Sequence, residues 1–183
     1  MPTWIWIFFI LAGGLFVFKI SYVLFTALAL PVTQGALYVS SSRVRVAAAL
    51  DALSMKSDQL LLDIGCGDGR VLRMASRRYG VQTIGYEVNW LAYIKARLLC
   101  MGDRNIHIRR KNFWKENLSP ADVVFCYLYP DVMQRLAKKL ESDLRPGTVV
   151  VSCNFMVPGF RPSKVFRPGG SLHNAPLYIY QMQ

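Results

Sequence analysis

The chain has 183 residues, room for one compact domain and a short appendage but not for a second independent core. Lys and Arg outnumber Asp and Glu by 22 to 11, a net charge of +11 that favours anionic surroundings such as phospholipid headgroups or nucleic acid without choosing between them. Cys66, Cys100, Cys126 and Cys153 lie far apart with no Cys-x-x-Cys spacing, and His107 and His173 lack partners at ligand spacing; no disulfide framework and no metal site are expected.

Apolar residues make up 53% of the chain, and the excess is concentrated before Pro31. From Trp4 to Leu30 the sequence is apolar apart from Lys19 and a few small or weakly polar residues; as a helix it would run about 40 Å, enough to cross a hydrocarbon core of about 30 Å with some tilt. Trp4 and Trp6 stand where an aromatic belt belongs, and Lys19 must snorkel, find a partner or face a wet cavity. A buried helix or a cleaved signal peptide fits less well, since the run is long and no Lys or Arg precedes it. Residues 1–31 are therefore expected to form a single transmembrane anchor and 32–183 a folded domain. Arg43, Arg45 and many later cations place that domain on the cytoplasmic side by the positive-inside rule.

Beyond Pro31, short β-type runs alternate with helical stretches, the pattern of an α/β fold with a mostly parallel sheet and helices on both faces. Strands are predicted at Leu60–Ile64, Gln82–Tyr86, Ile106–Arg109, Val123–Leu128, Thr148–Cys153 and Leu177–Gln181. Helices are predicted at Arg70–Tyr79, Val88–Met101 and Val132–Leu144. Pro158, Pro162 and Pro168 with Gly169-Gly170 exclude a long helix in the tail.

The first strand runs directly into Asp63-Ile64-Gly65-Cys66-Gly67-Asp68-Gly69-Arg70. In a parallel sheet, ligands bind beyond the carboxyl ends of the strands, and a glycine loop opening a helix offers close backbone approach and free amides. The spacing is Gly-x-Gly-x-Gly rather than the Gly-x-Gly-x-x-Gly that meets a dinucleotide pyrophosphate, which favours S-adenosylmethionine over NAD. The loop residues Asp63, Gly65, Cys66, Gly67 and Gly69 are the expected cofactor cradle, Asp63 facing the ammonium or the loop backbone. Glu87, ending the second strand, is placed to accept both ribose hydroxyls. After the third strand, Asn112 could bond adenine and Phe113 cover it; after the fourth, Tyr127 or Tyr129 could orient an incoming amine by hydroxyl or ring. Packed-loop and core roles compete at all four positions.

Together, these residues resemble the membrane-tethered protein lysine methyltransferases related to those that modify the ATP synthase c subunit and adenine nucleotide translocase. The likeness runs from the apolar N-terminal segment through Gly35-Ala36-Leu37-Tyr38-Val39-Ser40-Ser41, the Asp63–Arg70 loop, Gly85-Tyr86-Glu87-Val88-Asn89-Trp90 and Phe113-Trp114-Lys115 to Phe155-Met156-Val157-Pro158. It implies a Rossmann-like class I methyltransferase sheet, a lysine acceptor, and cofactor contacts from Asp63, Gly65, Gly67, Glu87 and the Asn112 region, with Tyr38 to Ser41 covering the cofactor. Without the family, Tyr38 and Ser41 read as polar linker. The chain departs from the pattern in having Asn112 where an acid is expected and Ser40 in place of a proline.

The expected activity is therefore methyl transfer from S-adenosylmethionine to a lysine of a membrane-associated protein, with the lipid bilayer as a second partner. A nucleic-acid methyltransferase, suggested by Arg77-Arg78 and Arg109-Arg110-Lys111, is the first rival, although solvated or headgroup-facing charge explains such clusters more often. Small-molecule or lipid methylation and a non-catalytic membrane scaffold are the others.

Overall fold

A computed structural model describes residues 2–28, 42–169 and 174–183, and the chain divides into two units, Met1–Leu37 and Tyr38–Gln183. The boundary expected at Pro31 falls in 29–41, outside the described residues. In the first unit, α1 (Thr3–Leu28) is a 26-residue helix that begins just after Pro2. Proline is tolerated there because the first helical N–H groups have no intrahelical acceptor. Among the described residues, α1 is the one helix long and apolar enough to cross a membrane.

The second unit opens with α2 (Arg43–Asp51), capped by Ser42, whose hydroxyl accepts from Arg45 N. This helix is not among those expected above, although Ser42 ahead of Val46-Ala47-Ala48-Ala49-Leu50 is a start signal. Then follow β1 (Leu60–Ile64), α3 (Arg70–Tyr79), β2 (Gln82–Tyr86), α4 (Trp90–Leu99), β3 (Ile106–Arg109), β4 (Val123–Cys126), α5 (Met133–Asp143), β5 (Val149–Cys153), β6 (Lys164–Phe166) and β7 (Leu177–Gln181). Short 3-10 turns lie at Phe113–Lys115 and Pro130–Val132.

Among the described residues, seven strands form one sheet in the order β3-β2-β1-β4-β5-β7-β6. β1 to β5 are parallel, and β7 runs antiparallel to both neighbours. Order reverses at β1, which pairs with β2 on one side and β4 on the other. A switch point of this kind leaves a crevice at the carboxyl ends of β1 and β4, where open α/β sheets bind ligands. The fold is the expected class I methyltransferase sheet, with β6 as an added edge strand.

Each face of the sheet carries its own core. Leu61, Val71, Leu72, Ala96 and Ile108 pack with α2, α3 and α4 on one side. Leu62, Ile64, Val124, Leu136 and Leu140 pack with α5 on the other. Strands buried on both faces read as continuous apolar runs, which is why Leu60-Leu61-Leu62 and Val123-Val124-Phe125 stand out in the sequence. Gly85 sets how closely β2 approaches the glycine loop: a Cβ there would sit 2.6 Å from Cys66 Sγ and from Leu72 Cδ1. Gly85→Ala is expected to destabilise the domain by roughly 1–3 kcal/mol, read as a lower denaturation midpoint in urea, because this contact is already filled.

Candidate active site

The loop after β1 is shaped by glycines that do what other residues cannot. Gly65, Gly67 and Gly69 have φ of 93°, 55° and 71°, a left-handed region costly for residues with a Cβ. These turns bring Gly65 N and Cys66 N to within 2.9 and 3.0 Å of Tyr86 O, tying the loop to the end of β2. The loop then enters α3, whose N-cap is Gly69. Arg70 N donates to Asp68 Oδ1 at 3.2 Å and Gly69 N to Cys66 O at 2.8 Å, which leaves the amides of Asp68, Val71 and Leu72 without a partner among the described residues and open to a ligand.

Glu87 follows β2 directly. Its Oε2 accepts from Gly67 N at 2.9 Å and its Oε1 from Asn89 N at 2.7 Å. A carboxylate has about four lone-pair directions, so Glu87 keeps capacity for a further donor. Burial raises the Glu87 pKa, opposed by hydrogen bonds from the backbone of Asn89, Gly67 and Val88.

Asp63 is the unusual group. It is 3% exposed, and its pKa lies well above the carboxylate norm because of burial first and then the charges of Glu87 and Asp68. Among the described residues, no hydrogen bond lowers it. Asp68, by contrast, is paired with Arg70 at 3.2 Å. A buried carboxylate without a donor is costly unless something cationic completes it. Together, free amides at a helix start, a diol-ready carboxylate and an acid lacking a donor suit a ligand carrying a sulfonium, an ammonium, a carboxylate and a ribose. The same acids would repel a pyrophosphate.

The residues expected on the acceptor side follow β4, and the end of β5 lies beside them. β4 stops at Cys126 rather than the predicted Leu128, which releases Tyr127, Leu128 and Tyr129 from the sheet. Asn154 follows β5 with φ 73°, one of the few non-glycine residues held in that region. Strain of this kind persists only where surrounding contacts fix it. Asn154 Nδ2 lies 3.0 Å from Tyr127 Oη, and its Oδ1 accepts from Nη2 of Arg45. The Arg45 guanidinium is buried and stands 5.5 Å from the centre of the Tyr127 ring; its buried Nε has no partner among the described residues. Asn154→Ala strips the guanidinium of an acceptor and is expected to cost roughly 1–3 kcal/mol of stability, measured by urea denaturation.

The structure thus brings Asp63, Gly65, Cys66, Gly67, Gly69 and Glu87 together around one loop. Cys66 is buried, and burial raises its thiol pKa well above normal. Asn112 Oδ1 caps the 3-10 turn, accepting from Trp114 N at 3.1 Å. Phe113 is buried in the α5-side core, 4.4 Å from the Trp114 ring centre. Tyr129 is half-buried and caps the next 3-10 turn without a side-chain bond. Tyr38 and Ser41 lie outside the described residues. Sequence reasoning missed Arg45 and Asn154. A polar residue just past a parallel strand was the available signal for Asn154; Arg45 had none, because its helix was not foreseen.

The ANTKMT methyltransferase domain model matches residues 63–164, more than half of the chain. The chain belongs to this methyltransferase family. A protein-lysine N-methyltransferase of Saccharolobus islandicus (strain REY15A) is 32% identical over 149 residues, covering 78% of this chain and 91% of the relative. The lysine N-methyltransferase of the ATP synthase c subunit from Xenopus laevis is 30% identical over 135 residues; the match covers 72% of this chain and 59% of that protein. Among solved structures, an RNA methyltransferase from Salinibacter ruber in complex with S-adenosyl-L-homocysteine aligns with TM-score 0.73 and 28% identity, over 79% of this chain and 94% of that one. The protein is therefore an S-adenosylmethionine-dependent methyltransferase, and its family and named relatives support protein-lysine methylation.

Proposed function

We propose that this methyltransferase modifies the Nζ of a lysine in a membrane-associated protein, with α1 as a single-pass tether and residues 32–183 as a catalytic domain on the cytoplasmic side. The observation that carries the reading is the buried Asp63 carboxylate, short of a donor, beside Glu87 and the glycine loop. The lysine acceptor is supported by the names of the relatives, and the membrane setting by α1 and by the likeness to the methyltransferase of the ATP synthase c subunit.

When bound, S-adenosylmethionine supplies an electrophilic methyl group on a sulfonium. In this reading Asp63 faces the cationic part of the cofactor, the amides left open between Asp68 and Leu72 its carboxylate, and Glu87 the ribose hydroxyls, with Gly65, Cys66, Gly67 and Gly69 shaping the cradle. Asn112 and Phe113 would border adenine, with Tyr38 and Ser41 as the cover. On the acceptor side Asn154 holds the Tyr127 hydroxyl, and Tyr127 and Tyr129 form an aromatic rim that orients the amine and excludes water. A free lysine has a pKa near about 10.4. The Arg45 guanidinium behind the Tyr127 ring disfavours a second cation there, and so favours the neutral, nucleophilic amine.

One observation favours a second reading, RNA methylation: the Salinibacter ruber likeness, together with exposed Arg109, Arg110 and Lys111 at the end of β3. The test is to incubate the full-length protein with methyl-labelled S-adenosylmethionine and membranes, with and without nuclease. Label recovered as methylated lysine after acid hydrolysis and insensitive to nuclease is expected. Label that follows nucleic acid or extracted lipid would overturn the lysine reading.

A further inference from the structure

Helix α4 is packed inside out for a soluble domain. Its core-facing positions are small: Ala92, Ala96 and, just past its end, Cys100 are buried. Tyr93 packs against that core, but Trp90 and Leu98 lie on the opposite side. Trp90, Leu98 and Met101 are 44%, 64% and 81% exposed, and half-buried Ile94 falls between them. Spaced i, i+4 and i+8, Trp90, Ile94 and Leu98 form one continuous stripe at helical periodicity, and Met101 lies in the turn just past the helix end. Scattered exposed apolar residues are ordinary, but an aligned stripe turned to solvent marks a contact surface.

The charge around the stripe identifies the contact. Around it the chain carries Lys95, Arg97, Arg104 and Arg110 against Asp103 alone, 4 − 1 = +3; Arg109 leaves the opposite face of β3 from Ile108, and Lys111 pairs with Glu116 at 2.9 Å. Asp103 is itself engaged, accepting from Ser76 Oγ at 2.9 Å and Asn105 N at 3.0 Å. Arg110 lies 5.0 Å over the Trp90 ring, so cation and aromatic sit side by side at the head of the stripe. An open groove of about 350 Å³ separates the end of α4 from edge strand β3, its walls including Leu98, Met101, Ile106 and Ile108 with Arg97 at the rim. Apolar side chains flanked by Arg and Lys match an anionic lipid interface, where the stripe enters the acyl boundary and the cations meet headgroups. A second copy of this face would set positive charge against positive charge, and nucleic acid has no use for Leu98 and Met101.

We propose that the outward face of α4 seats the catalytic domain on an anionic membrane surface, a second contact beyond the tether. The inference rests on the reading that α1 anchors the chain in a bilayer. α4 starts three residues after Glu87, at the pocket end of the sheet, and rises about 15 Å over its length. Docking it holds the pocket mouth close to the headgroups, where a lysine of a membrane protein is presented.

The test uses full-length protein in nanodiscs, with a nitroxide at Leu98→Cys, at Glu141→Cys on exposed α5 across the sheet, or at Phe16→Cys in α1. The four native cysteines are buried and stay unlabelled in the folded protein. Accessibility to oxygen against a polar nickel complex reports depth. In phosphatidylserine-rich discs the label at 98 is expected to be oxygen-accessible and nickel-protected, while 141 stays aqueous. Arg97→Glu with Arg104→Glu, or pure phosphatidylcholine, should return 98 to an aqueous signal. A label at 98 that is aqueous in both lipids while 16 is immersed overturns the docking and leaves the tether standing. A label at 98 shielded from both reagents overturns it in favour of a protein partner or a second copy. An aqueous label at 16 removes the tether reading, and this inference with it.

Discussion

Replacing Asp63 by Asn is expected to make the ligand-free protein more stable and the enzyme worse. In the free protein the buried carboxylate faces Glu87 and Asp68, with no donor among the described residues to offset its burial, so neutralising it should gain roughly 1–3 kcal/mol at neutral pH. Losing a charged partner for the cofactor should weaken S-adenosylmethionine binding about 10- to 100-fold. The pH dependence has a definite sign. Because the folded-state pKa is raised, the folded protein holds the Asp63 proton more tightly than the unfolded chain. Its favourable contribution is complete below the unfolded value of about 3.9 and is lost as pH rises through the folded value. Wild-type melting temperature should fall over that window relative to Asp63→Asn, and added cofactor should restore more stability to wild type than to the variant. Parallel melting curves with unchanged cofactor affinity would remove Asp63 from the site.

Glu87→Ala should have the larger effect on binding. It removes the acceptor placed for the ribose hydroxyls and also frees the amides of Gly67 and Asn89, which now bond its two oxygens at 2.9 and 2.7 Å. Charge-assisted bonds are worth roughly 1.5–3 kcal/mol each, so the dissociation constant should rise about 100-fold or more by calorimetry. Glu87→Gln, which keeps one acceptor oxygen, should fall between. Equal affinities for all three proteins would show that Glu87 only braces the loop.

The part of the fold that builds this pocket was readable because local signals agreed. Leu60-Leu61-Leu62 is a doubly buried strand, the glycines demand left-handed turns, and α3 ends on Gly80 with φ 69°. Four features were not readable, each for a physical reason. The nine residues of α2 form a short helix beyond an unassigned stretch, and its buried Arg45 looks like surface charge in a sequence. β6 spans three residues at the sheet edge, two of them exposed, so no apolar pattern marks it. Asn154 depends on a pairing with Tyr127 across 27 residues, which no local rule anticipates. The helix at Val88–Met101 was foreseen, but not its facing: a Trp90, Ile94 and Leu98 stripe normally points to a core, and here small Ala92 and Ala96 take that side, where Val71 and Leu72 of α3 and Ile106 and Ile108 of β3 already fill the space.

The most direct test is a crystal structure of the protein grown with S-adenosylhomocysteine. The account expects the nucleoside beyond the carboxyl ends of β1 and β2, its ribose on Glu87 and its amino-acid portion between Asp63 and the start of α3, against the glycine loop. A ligand bound elsewhere, with Asp63 and Glu87 untouched, would contradict it.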